Sequence, residues 1–292
     1  RDFFFSCDDA GLLDRCLLNY YGSLCRAGRG APLDGEFHLH CRALPEASEP
    51  EAPRNAVTFP IDEPGTAPPM WYLPDRRVAR ASVCSPDAQV AARRMFSAVG
   101  SFIQMVLKED GWFFFHAASV EISGRGALIC GSNGAGKSSA MRALLECGAL
   151  YLSDDSAAVR FSGEGVRVHW NPEMLNAAEL SPGAKSRLAR LGFGKERATG
   201  FMEPPEGKIS APVRLLLFPV IVKGNTRLVS LTKKGAAIKL LELNKTPVYK
   251  DDFDHLLRTC AEASERARAF EVRVSRGDFF PSERIAESCG PV

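Results

Sequence analysis

Residues 127–138 read Ala-Leu-Ile-Cys-Gly-Ser-Asn-Gly-Ala-Gly-Lys-Ser, an apolar run that breaks into a glycine-rich turn. From Gly131 onward the stretch matches G-x-x-x-x-G-K-[ST] in full, with an apolar strand before it and a helical pattern after it. Gly134 and Gly136 let the backbone fold tightly, so that successive N–H groups and a helix N-terminus face an anion. The expected nucleotide-phosphate set is therefore Gly131, Ser132, Asn133, Gly134, Ala135, Gly136, Lys137, Ser138 and Ser139. Lys137 would reach the terminal phosphates, and the Ser138 hydroxyl would ligate Mg²⁺. Met141, Leu144 and Leu145 bury the following helix against a sheet, and Gly148 is placed to end it.

Outward from this loop, Val120–Ile122 and Ala127–Cys130 flank a turn at 123–126 and predict a hairpin. On the other side, Ala149–Leu152 predicts a strand that ends in Ser153-Asp154-Asp155, with Asp154 only 17 residues after Lys137. Transporter-type and motor ATPases carry their acidic strand much further downstream. No Leu-Ser-Gly-Gly stretch and no guanine-reading Asn-Lys-x-Asp occurs. Two carboxylates at a strand end beside a phosphate loop suit one task each: one takes a proton from an acceptor hydroxyl, the other helps hold Mg²⁺. An Asx-type cap or a surface pair would use the same residue types.

Phe115-His116-Ala-Ala-Ser-Val-Glu-Ile, then the glycine-rich loop, then Gly-Ala-Leu-Tyr-Leu-Ser-Asp-Asp resembles the core of the HPr kinase/phosphorylase family and its related kinases. The resemblance is specific over about 111–159, weaker over 215–243, and does not reach the first seventy residues. It implies a phosphoenolpyruvate-carboxykinase-like fold and phosphorylation of a serine hydroxyl. By position, Asp154 resembles the family's catalytic acid/base and His116 the histidine that hydrogen-bonds it, leaving Asp155 for Mg²⁺ or substrate positioning. Independently, a histidine beside a carboxylate can orient it and tune its protonation, although a lone histidine is as readily a core residue. Ser139 stands where HPr kinases carry Glu, and their second diagnostic stretch is not recognisable in 160–212. The chain is thus more similar to the related branch that includes kinases of ribosomally made peptides such as lasso peptides than to the bifunctional enzyme.

Composition sets the frame for the rest. The 292 residues are 45% apolar and 25% charged, which excludes disordered and fibrous classes. A net charge of +2, from 37 basic and 35 acidic residues, argues against a nucleic-acid binder. No apolar run reaches membrane length, and the start lacks the order of a signal peptide. Nine cysteines without a C-x-x-C or a zinc-type spacing read as free thiols in a reducing cytoplasm. His38 and His40 would share a strand face as half of a metal site, with no ligand cluster to complete it. Seven prolines between Pro45 and Pro69 predict an irregular connector. Ser85-Pro86-Asp87 predicts a helix start. The segment 181–210 predicts a long loop with six bases against three acids. It is the candidate lid, with Arg190, Arg197 and Lys208 as its phosphate or substrate contacts, or simply a solvated basic surface.

The expected architecture is α/β: a P-loop core of the phosphoenolpyruvate-carboxykinase/HPr-kinase type over 71–292, with mixed sheets and flanking helices. A small α+β accessory region occupies 1–70. The expected activity is an ATP- and Mg²⁺-dependent kinase, cytoplasmic, acting on a Ser or Thr hydroxyl of a peptide or protein. The resemblance allows a homo-oligomer. A small-molecule hydroxyl kinase and a non-catalytic, ATP-dependent peptide-binding module are the alternatives; a decarboxylating carboxykinase would need a further His/Lys metal set that is not found.

Overall fold

The computed structural model describes residues 3–7, 37–44, 57–59, 70–73, 78–84, 87–108, 111–163, 165–171, 175–190, 192–193, 201–202, 210–244, 253–278 and 280–288. The chain divides into two units, Arg1–Asp110 and Gly111–Val292.

In the first unit, five runs form one sheet: β1 (Phe3–Cys7), β2 (Phe37–Leu44), β3 (Val57–Phe59), β4 (Met70–Leu73) and β5 (Val78–Cys84), in the order β1-β2-β5-β4-β3. β1, β2 and β5 run parallel, while β4 pairs antiparallel with β5 and β3. Helix α1 (Ala88–Lys108) begins where Asp87 Oδ1 accepts the Val90 N–H at 3.1 Å. That bond satisfies one of the four N–H groups left over at a helix start. The expected capping hydroxyl of Ser85 lies outside the described residues. Met95, Val99, Phe102 and Val106 recur at helical spacing and are buried. Phe102 meets Tyr72 edge-on, with ring centroids 5.9 Å apart.

The division at Asp110 differs from the boundary expected near residue 70. Strands β4 and β5 bond into the same sheet as β2 and β3, and α1 packs on β2 and β5. The proline-rich stretch also contributes β3, which ends the sheet order among the described residues. Residues 8–36 and the side chains of His38 and His40 lie outside the described residues.

The second unit is built on β6 (Trp112–Phe115), β7 (Ala117–Ile122), β8 (Arg125–Cys130), α2 (Lys137–Glu146), β9 (Leu150–Ser153), β10 (Ala157–Ser162) and β11 (Gly165–His169). Then come β12 (Leu175–Asn176), α3 (Pro182–Arg190), β13 (Phe201–Met202), β14 (Ser210–Val222) and β15 (Arg227–Ser230). Helices α4 (Lys233–Leu243) and α5 (Phe253–Arg266), strand β16 (Arg268–Ser275) and α6 (Ser282–Ser288) complete it. The large mixed sheet runs β6-β10-β11-β14-β8-β7-β9, with β16 on β14 and β15 on β16. Only His116 separates β6 from β7, and only 154–156 separate β9 from β10, yet these strands lie towards opposite ends of that order. The sheet therefore curls until its two ends approach.

Local chemistry accounts for the main elements. Ser123 and Gly124 both take positive φ (50° and 78°), the geometry a two-residue hairpin turn demands between β7 and β8. Leu215, Leu216, Leu217 and Phe218 are all buried because β14 is covered on both faces. Alternate residues of β8 divide between two cores. Ala127 and Ile129 join α2, α3 and α6 on the outer face; Leu128 and Cys130 join α4 and α5 inside the curl. Met141, Leu144 and Leu145 dock α2 as expected. Leu144→Ala should destabilise the unit by about 2–5 kcal/mol through the cavity it leaves, read as a lowered denaturant midpoint.

One expectation is corrected here. The segment 181–210 is not all loop: α3 occupies its first third and buries Ala184 and Leu188 against α2. Ser181 caps α3 at the Ala184 N–H, and its own N–H and hydroxyl donate to Glu146 at 2.7 and 2.6 Å. Arg187 donates to the carbonyls of Leu145 and Glu146, each at 2.7 Å, which satisfies the open C-terminus of α2. Beyond Pro281, α6 docks with Ile285 fully buried.

Candidate active site

Strand direction assembles the site. Ala117, the first residue of β7, pairs with Cys130, the last of β8, and Ser119 pairs with Ser153 at the end of β9. His116, Gly131 and Asp154 therefore leave the sheet at the same end. A buried hydroxyl pair, Ser119 Oγ to Ser153 Oγ at 2.8 Å, ties β7 to β9 just beneath it.

Gly134 and Gly136 take φ of 77° and 96°, where a side chain would be strained, and a Cβ on Gly131 would meet that of Ala135 at 2.8 Å. The loop closes through Ala135 N–H to Ser132 carbonyl at 3.1 Å, and α2 starts with Ala140 N–H to Gly136 carbonyl at 2.9 Å. Ser132, Asn133 and Gly134 are exposed at the mouth.

Lys137 is buried, at 7% exposure, and its ammonium is held over this loop. It donates to the Gly131 carbonyl at 3.0 Å and the Ser132 carbonyl at 3.5 Å, and lies 3.0 Å from His116 Nε2. His116 Nε2 is also 3.0 Å from Asn133 Oδ1, while its Nδ1 lies 3.2 Å from Asp155 Oδ1. These contacts define two arrangements. With Nδ1–H directed at Asp155, the Nε2 lone pair accepts from Lys137. With Nε2–H instead, Nε2 donates to Asn133, and Lys137 keeps the Gly131 and Ser132 carbonyls.

The ring contact expected for Asp154 goes to its neighbour. Asp155 is 71% exposed and lies 3.9 Å from the Lys137 ammonium as well as against His116. Asp154 is half-buried instead, and its Oδ1 is buried with no hydrogen-bond partner among the described residues. The bend that ends β9 at Asp154-Asp155 sends consecutive side chains to different sides, so only one carboxylate meets the imidazole. Ser138, half-buried, opens α2 beside Lys137; Ser139 is exposed. Arg190 is exposed in the last turn of α3, and Arg197 and Lys208 lie outside the described residues.

A residue the sequence reading missed anchors the histidine. Asn244, the C-cap of α4 and 4% exposed, accepts the His116 backbone N–H at 2.8 Å through Oδ1 and donates to the Leu240 carbonyl at 2.7 Å. A polar residue after a helix reads only as a helix stop, and 128 residues separate the partners. Asn244→Ala strands the His116 N–H and should cost about 1–3 kcal/mol in a thermal melt. It should also move the His116 imidazole resonances, whereas unmoved resonances would reduce Asn244 to a cap.

Behind the loop, Cys130 and Cys260 are buried in the inner core. Burial pushes the Cys130 thiol far up, and that of Cys260 to about 12. Both act as small apolar residues rather than nucleophiles. Among the described residues, no group of three His, Cys, Asp or Glu side chains could grip a metal unaided, and no helix is long and apolar enough to cross a membrane. Chemically, the end of the sheet offers an oxyanion a loop of N–H groups and an ammonium. An exposed carboxylate, oriented by a histidine, stands beside them.

No family model and no curated protein matches the chain. Among solved structures, the HPr(Ser) kinase/phosphatase from Coxiella burnetii is similar at 13% identity and a TM-score of 0.28, over 60% of this chain and 91% of that one. At this TM-score the likeness carries no weight; the site's own geometry does.

Proposed function

We propose that this chain is a Mg²⁺/ATP-dependent kinase that transfers a γ-phosphoryl group to a Ser or Thr hydroxyl of a peptide or protein. The observation that carries this reading is the Lys137–His116–Asp155 network at the mouth of a glycine-rich phosphate loop. The loop N–H groups and the start of α2 bind the phosphates, and Lys137 offsets the negative charge that develops there. Asp155, exposed to an incoming acceptor and held by His116 Nδ1, takes the hydroxyl proton. This assigns to Asp155 the role that sequence position assigns to Asp154.

Asp154 suits the metal. A buried carboxylate oxygen without a partner costs stability until a cation or donor reaches it. Mg²⁺ is commonly held by one or two protein oxygens together with substrate phosphates. Asp154 and the Ser138 hydroxyl would hold it, and its contribution is to neutralise phosphate charge and align the donor. Transfer itself then depends on placing the hydroxyl in line and on fixed charges around the phosphoryl group, which is most of what this reaction requires.

The test is incubation of the purified protein with Mg²⁺, γ-labelled ATP and a Ser/Thr-containing peptide array. Label on peptide hydroxyls supports the reading. Label on an added metabolite would instead indicate a small-molecule kinase, and bound nucleotide with no label a peptide-binding module.

A further inference from the structure

The register of β6, β10 and β11 builds a basic, aromatic row away from the phosphate loop. Trp112 pairs with Arg160 across β6 and β10, and Arg160 pairs with Arg167 across β10 and β11. The next rung towards the loop is Phe114, Ala158 and His169. Phe113, Val159, Val166 and Val168 are buried in the inner core, so strand alternation turns the Trp112–Arg160–Arg167 row outward. Arg160 is exposed, and Trp112, Arg167 and His169 are half-buried. The Arg160 guanidinium lies 5.6 Å from the Trp112 ring centre, and the His169 ring packs 4.5 Å from the same ring. Arg167 donates to the Ser210 carbonyl at 3.0 Å and to its hydroxyl at 3.1 Å.

Neither guanidinium meets a carboxylate among the described residues. Like charges directly opposite on neighbouring strands repel, so the free protein bears a cost that an anion would relieve. The neighbourhood registers that potential. Burial, then the charges of Arg167 and Arg160, hold the His169 pKa down at about 4, so the imidazole is neutral at pH 7.

We propose that this row docks an acidic segment of the acceptor peptide, a substrate preference that rests on the kinase reading above. Two guanidiniums side by side match carboxylates spaced two residues apart on one face of an extended chain. Trp112 offers the same segment an apolar surface. A nucleic-acid strand would need cations tracking its backbone, and the chain's net charge of +2 does not supply a basic face. Arg160 follows Asp155 by five residues along the chain. Extended backbone advances about 3.3 Å per residue, so acidic side chains about three to five positions from the acceptor hydroxyl would reach the row.

The experiment is fluorescence anisotropy on the full chain without nucleotide. The probes are fluorescein-labelled Ser-Ala-Ala-Glu-Ala-Glu-Ala-Glu, its Gln counterpart, and an oligouridylate RNA of similar length. The Glu peptide should bind about tenfold or more tightly than the Gln peptide, equivalent to one charge-assisted pair. Arg160→Gln/Arg167→Gln should remove that preference, and Arg160→Glu/Arg167→Glu should reverse it, with binding of a fluorescent ATP analogue unchanged in both. Equal binding of the two peptides, binding of neither, retention of the preference in the double variants, or tighter binding of the RNA overturns the proposal. Because no ATP is present, a failure of phosphoryl transfer and a failure of docking are read separately.

Discussion

Lys137→Ala should abolish phosphoryl transfer, with a loss of about 10³-fold or more. The reason lies in where the ammonium sits. At 7% exposure it is largely screened from water, so its charge acts at short range on whatever enters the loop. Its present partners, the Gly131 and Ser132 carbonyls and His116, hold it in place, with the exposed Asp155 carboxylate as a long ion-pair partner 3.9 Å away. A triphosphate would supply a nearer and larger counter-charge than this exposed carboxylate. Removal should therefore weaken ATP binding as well as turnover, both measured against an unchanged melting temperature of the second unit. Lys137→Arg should not rescue, because a planar fork cannot replace a compact ammonium in this loop. Transfer within tenfold of the unaltered protein would remove Lys137 from the mechanism.

The carboxylate pair gives the second large effect, and it separates the two residues. Asp155→Asn should lower kcat by about 10²–10⁴-fold with little change in ATP affinity, since it removes the proton acceptor and leaves the phosphate cradle intact. Asp154→Asn should behave differently. The amide relieves a buried, unpartnered carboxylate oxygen, so the metal-free protein should melt at a higher temperature. The same variant should need more Mg²⁺ to bind ATP. An Asp154→Asn protein with reduced kcat and unaltered Mg²⁺ dependence would return the proton to Asp154.

Much of the site was legible because its logic is local. The glycine pattern, the lysine and serine after it, and the strand–helix context lie within a dozen residues, where chain geometry alone enforces a tight turn between strand and helix. The hairpin of β7 and β8 was legible for the same reason, since a two-residue turn with two positive φ values selects a short list of residues. Core helices announced themselves through spacing, as Met95, Val99, Phe102 and Val106 do in α1. Where spacing was interrupted by glycine and proline, as over 181–210, the helix α3 was lost to view. Ala184 and Leu188 are a weak periodic signal until Glu146 and the end of α2 are seen to hold them.

What the chain order determined by itself is the glycine-rich turn between a strand and a helix, its lysine, and the arrival of a histidine and two aspartates at one end of a sheet. Which aspartate meets the histidine was decided by a bend of the backbone at the end of β9, a matter of a single rotation that composition does not encode. That Asn244 seats His116 across 128 residues, and that Trp112 stands in register beside Arg160 of the β10–β11 hairpin, follow from pairing between distant strands and helices. So does the division at Asp110, which depends on β4 and β5 finding β2 and β3. Local propensity acts over a few residues, whereas register and burial are settled only when separate segments pack.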